Sequence, residues 1–246
     1  MAYRRFVVAA DPHGDEIDTE TERALFAFIA DFKPQVRIHA GDNWDFRNLR
    51  RGASDDEKAH SLQDDWDMGA EFMRRFFDGG TENHFLRGNH DERLWMFAES
   101  ASGLLRDYAT DGIKRVEALV KRSRAKMLPY DSRLGVLNVG ELRVIHGYAA
   151  GIGAARKHAI VYGNCLFGHT HNADVAGSEN CAGVAEARGI GACCKLDMPY
   201  NAHQTAKLRH QNAFCYGLLF DDGTYQLNQA KKIGGRFYVA SDFRRL

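Results

Sequence analysis

The residue pattern predicts an α/β protein in which two packed β-sheets carry helices on both outer sides. Three observations point there. The first half alternates short apolar runs with helical segments. The second half changes to hairpins and closely spaced strands. The 246 residues show no repeat, low-complexity tract or linker, so 1–246 reads as a single domain.

The elements follow in order. Phe6 to Ala10 is a continuous apolar run that fits a strand buried on both faces. Thr19 to Phe32 is predicted helical, with Leu25, Phe28, Ile29 and Phe32 on one side. Val36 to Ala40 is the next strand. Ser54, with Glu57 three residues later, has the capping-box pattern and predicts a long helix to about Phe77. His84 to Leu86 is a third strand, completing a βαβαβ order that implies a largely parallel sheet. Residues 92–126 are predicted as a helical, partly basic insertion ending in Lys121, Arg122, Arg124 and Lys126. Val136 to Val139 and Leu142 to His146 flank a Gly140-Glu141 turn. A helix over Ala154 to Tyr162 and a strand over Cys165 to Phe167 come next. Asp222-Gly223 separates strands at Phe214–Phe220 and Thr224–Gln229.

Composition excludes some function classes. Lys plus Arg (33) balances Asp plus Glu (33), so no bulk basic field for nucleic acid exists, though a local patch is compatible with this balance. The N-terminal apolar run is too short for a signal peptide or membrane span, and a soluble, cytoplasmic protein is expected. The five cysteines, Cys165, Cys181, Cys193, Cys194 and Cys215, include no C-x-x-C pair. They are expected as reduced thiols packed as small apolar groups, with Cys193 and Cys194 in a strand facing opposite sides.

Five short stretches carry the chemistry. Each follows an apolar run and holds Asp, Asn or His at its end: Asp11-Pro12-His13, Gly41-Asp42-Asn43-Trp44-Asp45, Gly88-Asn89-His90-Asp91, His146-Gly147 and Gly168-His169-Thr170-His171. Pro12 biases Asp11 toward extended backbone, where Asp11 and His13 would share a face. Ligands at the ends of strands in an α/β sheet converge in one crevice. The mixed oxygen and nitrogen donors suit Mn²⁺, Fe or Zn²⁺, with enough ligands for two ions. Taken singly, each Asp, Asn or Gly is a common turn former.

In this order the motifs resemble those of the calcineurin-like metallophosphoesterases, over Asp11 to His171. The resemblance implies a β-sandwich flanked by helices and two divalent ions, with Mn²⁺ expected. Asp11, His13 and His171 would bind the first ion. Asn89, His146 and His169 would bind the second, and Asp42 would bridge both. His90 would face the substrate as general acid or stabilising cation, with Asp45 orienting it and raising its pKa. A metal-bridging hydroxide would attack a phosphate ester. Protein Ser/Thr phosphatases of this superfamily carry Arg directly after the second Asp of Gly-Asp-x-x-Asp. Here Phe46 stands there and Arg47 follows. Gly-His-Thr-His looks like the diesterase, nuclease and nucleotidase branches. A phosphodiesterase on a nucleotide or nucleic acid is therefore expected, with a phosphomonoesterase and a non-catalytic scaffold as alternatives.

Arg47, Arg93 and Arg156 are the expected substrate cations; Arg156 follows a Gly151-Ile152-Gly153 turn near a helix start. Trp44 would stack on a base or pack in the core. Lys207, Arg209, His210 and Asn212 would border the cleft or form a surface loop. Oligomeric state is not legible.

Overall fold

The computed structural model describes residues 2–181, 183–197 and 209–240. Strands β1 (Tyr3–Ala9), β2 (Val36–His39), β3 (Glu82–Leu86) and β4 (Ala125–Leu128) run parallel in one sheet. The sheet continues antiparallel through β10 (Ala213–Phe220), β11 (Tyr225–Ile233) and β12 (Arg236–Tyr238). The full order is β12-β11-β10-β1-β2-β3-β4. The second sheet, in the order β5-β6-β7-β9-β8, contains β5 (Leu137–Val139), β6 (Leu142–Ile145), β7 (Cys165–Phe167), β8 (Val175–Asn180) and β9 (Gly183–Gly189).

The apolar run at the N-terminus explains the layering. Phe6, Val8 and Ala10 pack with Ile38, Leu142, Val144 and Leu166 between the two sheets. Val7 and Ala9 face the other way, into a core shared with α1 (Thr19–Phe32), α3 (Leu62–Phe77), α4 (Asn89–Ser100) and α5 (Gly103–Arg122). A strand buried on both faces has no polar alternation to show. The outer side of the second sheet buries Ile145, Cys165 and Phe167 under Ala155 and Ala159 of α6 (Ala154–Tyr162). The result is a helix–sheet–sheet–helix sandwich, as the pattern predicted. No helix among the described residues is long and apolar enough to cross a membrane.

Three elements depart from expectation. The single helix from Ser54 is two: α2 (Asp55–Ala59) and α3, separated at His60 and Ser61. The Ser54–Glu57 capping box is present, but Ser61 caps again, accepting from the Asp64 amide at 3.1 Å. The 92–126 stretch is likewise split between α4 and α5. Its last residues are not helical: Ala125–Leu128 is β4, paired in parallel with β3. The basic run thus straddles a helix end and a strand. Finally, Cys193 and Cys194 lie outside the named strands, with Cys194 in an isolated bridge to Ile17. Both are buried, Cys193 in the main core and Cys194 beside Ala192 and Leu196. All five cysteines are free thiols, and only Cys181 is exposed.

Candidate metal centre

The five motif loops meet at one end of the sandwich because their backbones are laced together. After β1, the amides of Asp11, His13 and Gly14 donate to the carbonyls of Gly41 (3.0 Å), Asp42 (3.1 Å) and Asn43 (2.9 Å). This lacing overrides the preference that Pro12 imposes. Asp11 has φ +56° rather than extended backbone, and His13 has φ +55°. Asp42, His169 and His171 are also left-handed. Five of the eight non-glycine residues with positive φ among the described residues are therefore expected ligands. Such strain persists only where surrounding structure holds it, and it clusters at functional sites.

Around Asp42 the donor atoms converge. Asn89 Oδ1 lies 3.0 Å from His146 Nε2 and 2.7 Å from His169 Nδ1. Asp42 Oδ2 lies 3.3 Å from the same His146 nitrogen and 3.8 Å from His13 Nε2. His13 Nε2 in turn faces His171 Nε2 at 3.1 Å. Three groups of donor atoms are close enough to hold an ion: Asp42, His146 and His169; His13, Asp42 and His90; and His13, His171 and Cys194. Asp42 belongs to two of them. Donor atoms that face one another in this way can share protons or a metal ion, and the oxygen–nitrogen mixture suits first-row divalent ions. The residues fit such ions.

Asp11 is placed differently from its companions. Both of its carboxylate oxygens accept the His169 amide at 3.1 Å, and it enters none of the three donor groups. His146 is oriented by its other nitrogen, which donates to the Ala40 carbonyl at 2.8 Å and leaves Nε2 facing the site.

His90 lies in the first turn of α4, and its amide donates to Asp42 Oδ1 at 2.7 Å. Its ring nitrogen Nδ1 meets Asp45 Oδ1 at 2.5 Å, so the expected His90–Asp45 pair is formed. The ring keeps 17% exposure, enough for a substrate to reach it. Asp45 is held from several sides: its amide donates to Asp65, and Arg47 Nε and Arg93 Nη1 reach its carboxylate at 2.9 and 3.2 Å.

The three expected substrate cations part company. Arg93 Nη2 lies 3.2 Å from His90 Nε2, with the guanidinium at the edge of the site. Arg47 does not point outward. Its guanidinium is buried among Asp45, Asp15 and Glu16, so it ties the second loop to the first instead of reaching a ligand. Arg156 is exposed on α6. The buried neighbour on that helix, His158, accepts the amides of Tyr148 and Ala149 at 3.0 and 3.2 Å. Trp44 is a core residue, fully buried and stacked on Trp66 and Phe46. Of the residues expected to border the cleft, Lys207 lies outside the described residues, and His210 packs edge-on against His171 with ring centroids 5.2 Å apart.

Some residues that shape the site were not among the expected ones. Asp65, in the first turn of α3, accepts the amides of Asp45 and Phe46 at 3.0 and 2.7 Å. Asp91 accepts those of Trp44 and Gly88 at 3.1 and 2.8 Å, and its place within Gly88-Asn89-His90-Asp91 was the available hint. Cys194 Sγ lies 3.9 Å from His171 Nδ1, and nothing in its sequence neighbourhood announces it.

The electrostatics of the metal-free site follow from burial and Asp42. Burial disfavours an imidazolium at His13 and His146, but the Asp42 and Asp45 carboxylates at His13, and Asp42 and Asp11 at His146, push both up to about 9. Burial would raise Asp42, yet His146, His90 and His13 hold it well below the usual range. Asp45 is held low against burial by His13 and His90. Burial raises Asp11 to about 7, opposed by His146. His169 falls to about 4 through burial and the charge of His146. For His90 the expected upward push from Asp45 exists, but burial outweighs it and the net shift is downward.

A pH dependence follows for the metal-free protein. His13 and His146 bind protons more tightly folded than unfolded. Their stabilisation is complete below the ordinary imidazole value of about 6.5 and is lost as pH rises through about 9. Thermal melts in chelator should show Tm falling between those values. Saturating divalent ion should flatten this dependence, because ligation displaces the protons. A metal-free Tm that rises over that interval would contradict the assignment.

Gly88 shows how closely the loops approach. A Cβ there would lie 2.1 Å from Asp42 Oδ1 and 2.5 Å from the Asp42 backbone nitrogen. Gly88→Ala should cost about 1–3 kcal/mol and displace Asp42, read as a lower Tm together with weaker ion binding.

No family model and no curated protein matches the sequence. Among solved structures, the chain is similar to a single mutant of Vps29 from Entamoeba histolytica, at 11% identity over 95% of this chain and 96% of that one, with a TM-score of 0.47. It is also similar to the phosphoesterase Yfce from E. coli (17% identity, 89% of each chain, TM-score 0.40). A third is a metallophosphoesterase from Sphaerobacter thermophilus (15% identity, 94% and 88% of the chains, TM-score 0.44). These are distant likenesses of outline, and the chemistry rests on the residues themselves. The two-sheet sandwich with helices on both outer faces is the architecture that the resemblance to calcineurin-like metallophosphoesterases implied.

Proposed function

We propose that the protein is a divalent-metal-dependent phosphoesterase that works with two ions, preferring phosphodiesters of the nucleotide or nucleic-acid class. One observation carries this reading. Asp42 is shared by two groups of largely buried donors, one with His13 and His90 and one with His146 and His169. A carboxylate between two donor sets is the arrangement that a pair of ions sharing a ligand requires.

In this reading Asp11, His13 and His171 hold the first ion, and Asn89, His146 and His169 the second. Asp42 serves both. Ions there would supply Lewis-acid polarisation of a phosphoryl oxygen and lower the pKa of water. Mn²⁺ is the expected ion, with Fe or Zn²⁺ compatible with the same donors.

The protein's own groups do the rest. His90 stands at the rim of the donor cluster. A bound phosphate ester would bring negative charge to its ring, countering the burial that lowers its pKa, and would let it carry a proton toward the departing oxygen. Asp45 anchors the ring through Nδ1 and is itself held by Arg47. Arg93 sets a fixed cation beside His90 Nε2, where it attracts the ester's anionic oxygens.

The test is turnover of bis-p-nitrophenyl phosphate against p-nitrophenyl phosphate by Mn²⁺-loaded protein. Faster diester cleavage is the expected result. Faster monoester cleavage would replace the substrate class and keep the metal chemistry. Failure to cleave either with two ions bound would sink the enzymatic reading and favour a binding scaffold.

A further inference from the structure

We propose that Cys194 is the positioning residue of His171, fixing which imidazole nitrogen is offered to the first ion; this rests on the metal-centre reading above. The loop that carries Cys194 comes from the part of the chain beyond the five motifs. It is tied to the site's first loop on both sides. The Cys193 amide donates to the Ala10 carbonyl at 3.0 Å, and the Lys195 amide donates to Glu16 at 2.8 Å. From behind, Asn212 Nδ2 donates to the carbonyls of Ala192 (3.1 Å) and Cys194 (2.7 Å). The thiol is therefore held in place by its backbone, and it is fully buried.

Its Sγ lies 3.9 Å from His171 Nδ1, while the opposite nitrogen of that ring, Nε2, faces His13 Nε2 at 3.1 Å. Two imidazole nitrogens at that distance share a proton in the metal-free protein, and both must present a lone pair for an ion to take its place. A neutral imidazole has one N–H and one lone pair, so the partner of one nitrogen decides what the other presents. With Nδ1–H donating to Sγ, Nε2 keeps its lone pair toward His13. The His210 ring packs against His171, limiting its rotation.

The experiment titrates metal-free full-length protein with Co²⁺, for the wild type, Cys194→Ser and Cys194→Val, by calorimetry and by absorption. Folding is checked by circular dichroism. Serine keeps an acceptor at this position; valine fills the space without one. The expected result is two bound ions in the wild type and in Cys194→Ser. In Cys194→Val the affinity of one ion should fall about 10–100-fold, the range for loss of an outer partner of a ligating histidine. No thiolate-to-cobalt charge-transfer band should appear in any of them. A band in the wild type that valine removes would make Cys194 a direct ligand and overturn the positioning role. Equal affinities in the three proteins would overturn it as well. If valine prevents folding, Cys194→Ala takes its place with the same criteria. Wild type that binds no cobalt would fail the metal-centre reading itself, and the role of Cys194 with it.

Discussion

Asp42→Ala should abolish turnover and lower the bound metal below two ions per chain. The loss expected in kcat is on the order of 10⁴-fold or more, the scale seen when a group on which the whole machinery depends is removed. The reason is placement. Asp42 is the one carboxylate in the three donor groups and belongs to two of them, and its Oδ1 also accepts the His90 amide in the first turn of α4. Its removal withdraws the main negative charge that lifts His146 and a major one at His13, so both imidazolium forms are weakened in the metal-free protein. Metal analysis alongside kinetics decides the matter: full occupancy in Asp42→Ala would refute the shared-ligand role, whatever happens to the rate.

His90→Ala separates chemistry from ligation. His90 stands within one of the donor groups, with His13 and Asp42, yet its Nδ1 is engaged by Asp45 and its Nε2 faces Arg93. The variant should keep both ions and lose about 10²–10⁴ in kcat, the range for general acid–base groups. In the wild type, kcat should fall as pH rises through the titration of His90 in the substrate complex, and the variant should lose that limb. A variant that sheds an ion would mark His90 as a ligand. One with unchanged turnover would remove it from the mechanism.

The sequence was informative where local chemistry sets the outcome. α1, α6 and β7 begin and end at the expected residues, because each has a clear period or a short apolar run between breakers. The hairpin at Gly140-Glu141 and the turn at Asp222-Gly223 formed as their turn residues dictate. The chain could not announce β4. Ala125–Leu128 is a four-residue edge strand whose only reason to be extended is the neighbouring β3, and a basic helix end runs directly into it.

The candidate site divides in the same way. The sequence by itself determined the inventory: Asp, Asn and His at the ends of strands, with enough oxygen and nitrogen donors for two ions. Tertiary structure decided what each one does. It turned Asp11 onto the His169 amide and committed Arg47 to three carboxylates. It buried Trp44 under Trp66 and brought Cys194 to the back of His171. These outcomes depend on left-handed backbone at the loop tips and on hydrogen bonds between loops far apart in sequence. A linear pattern records which donors exist. Only the packed loops determine which of them face a shared point and which are satisfied by a neighbour.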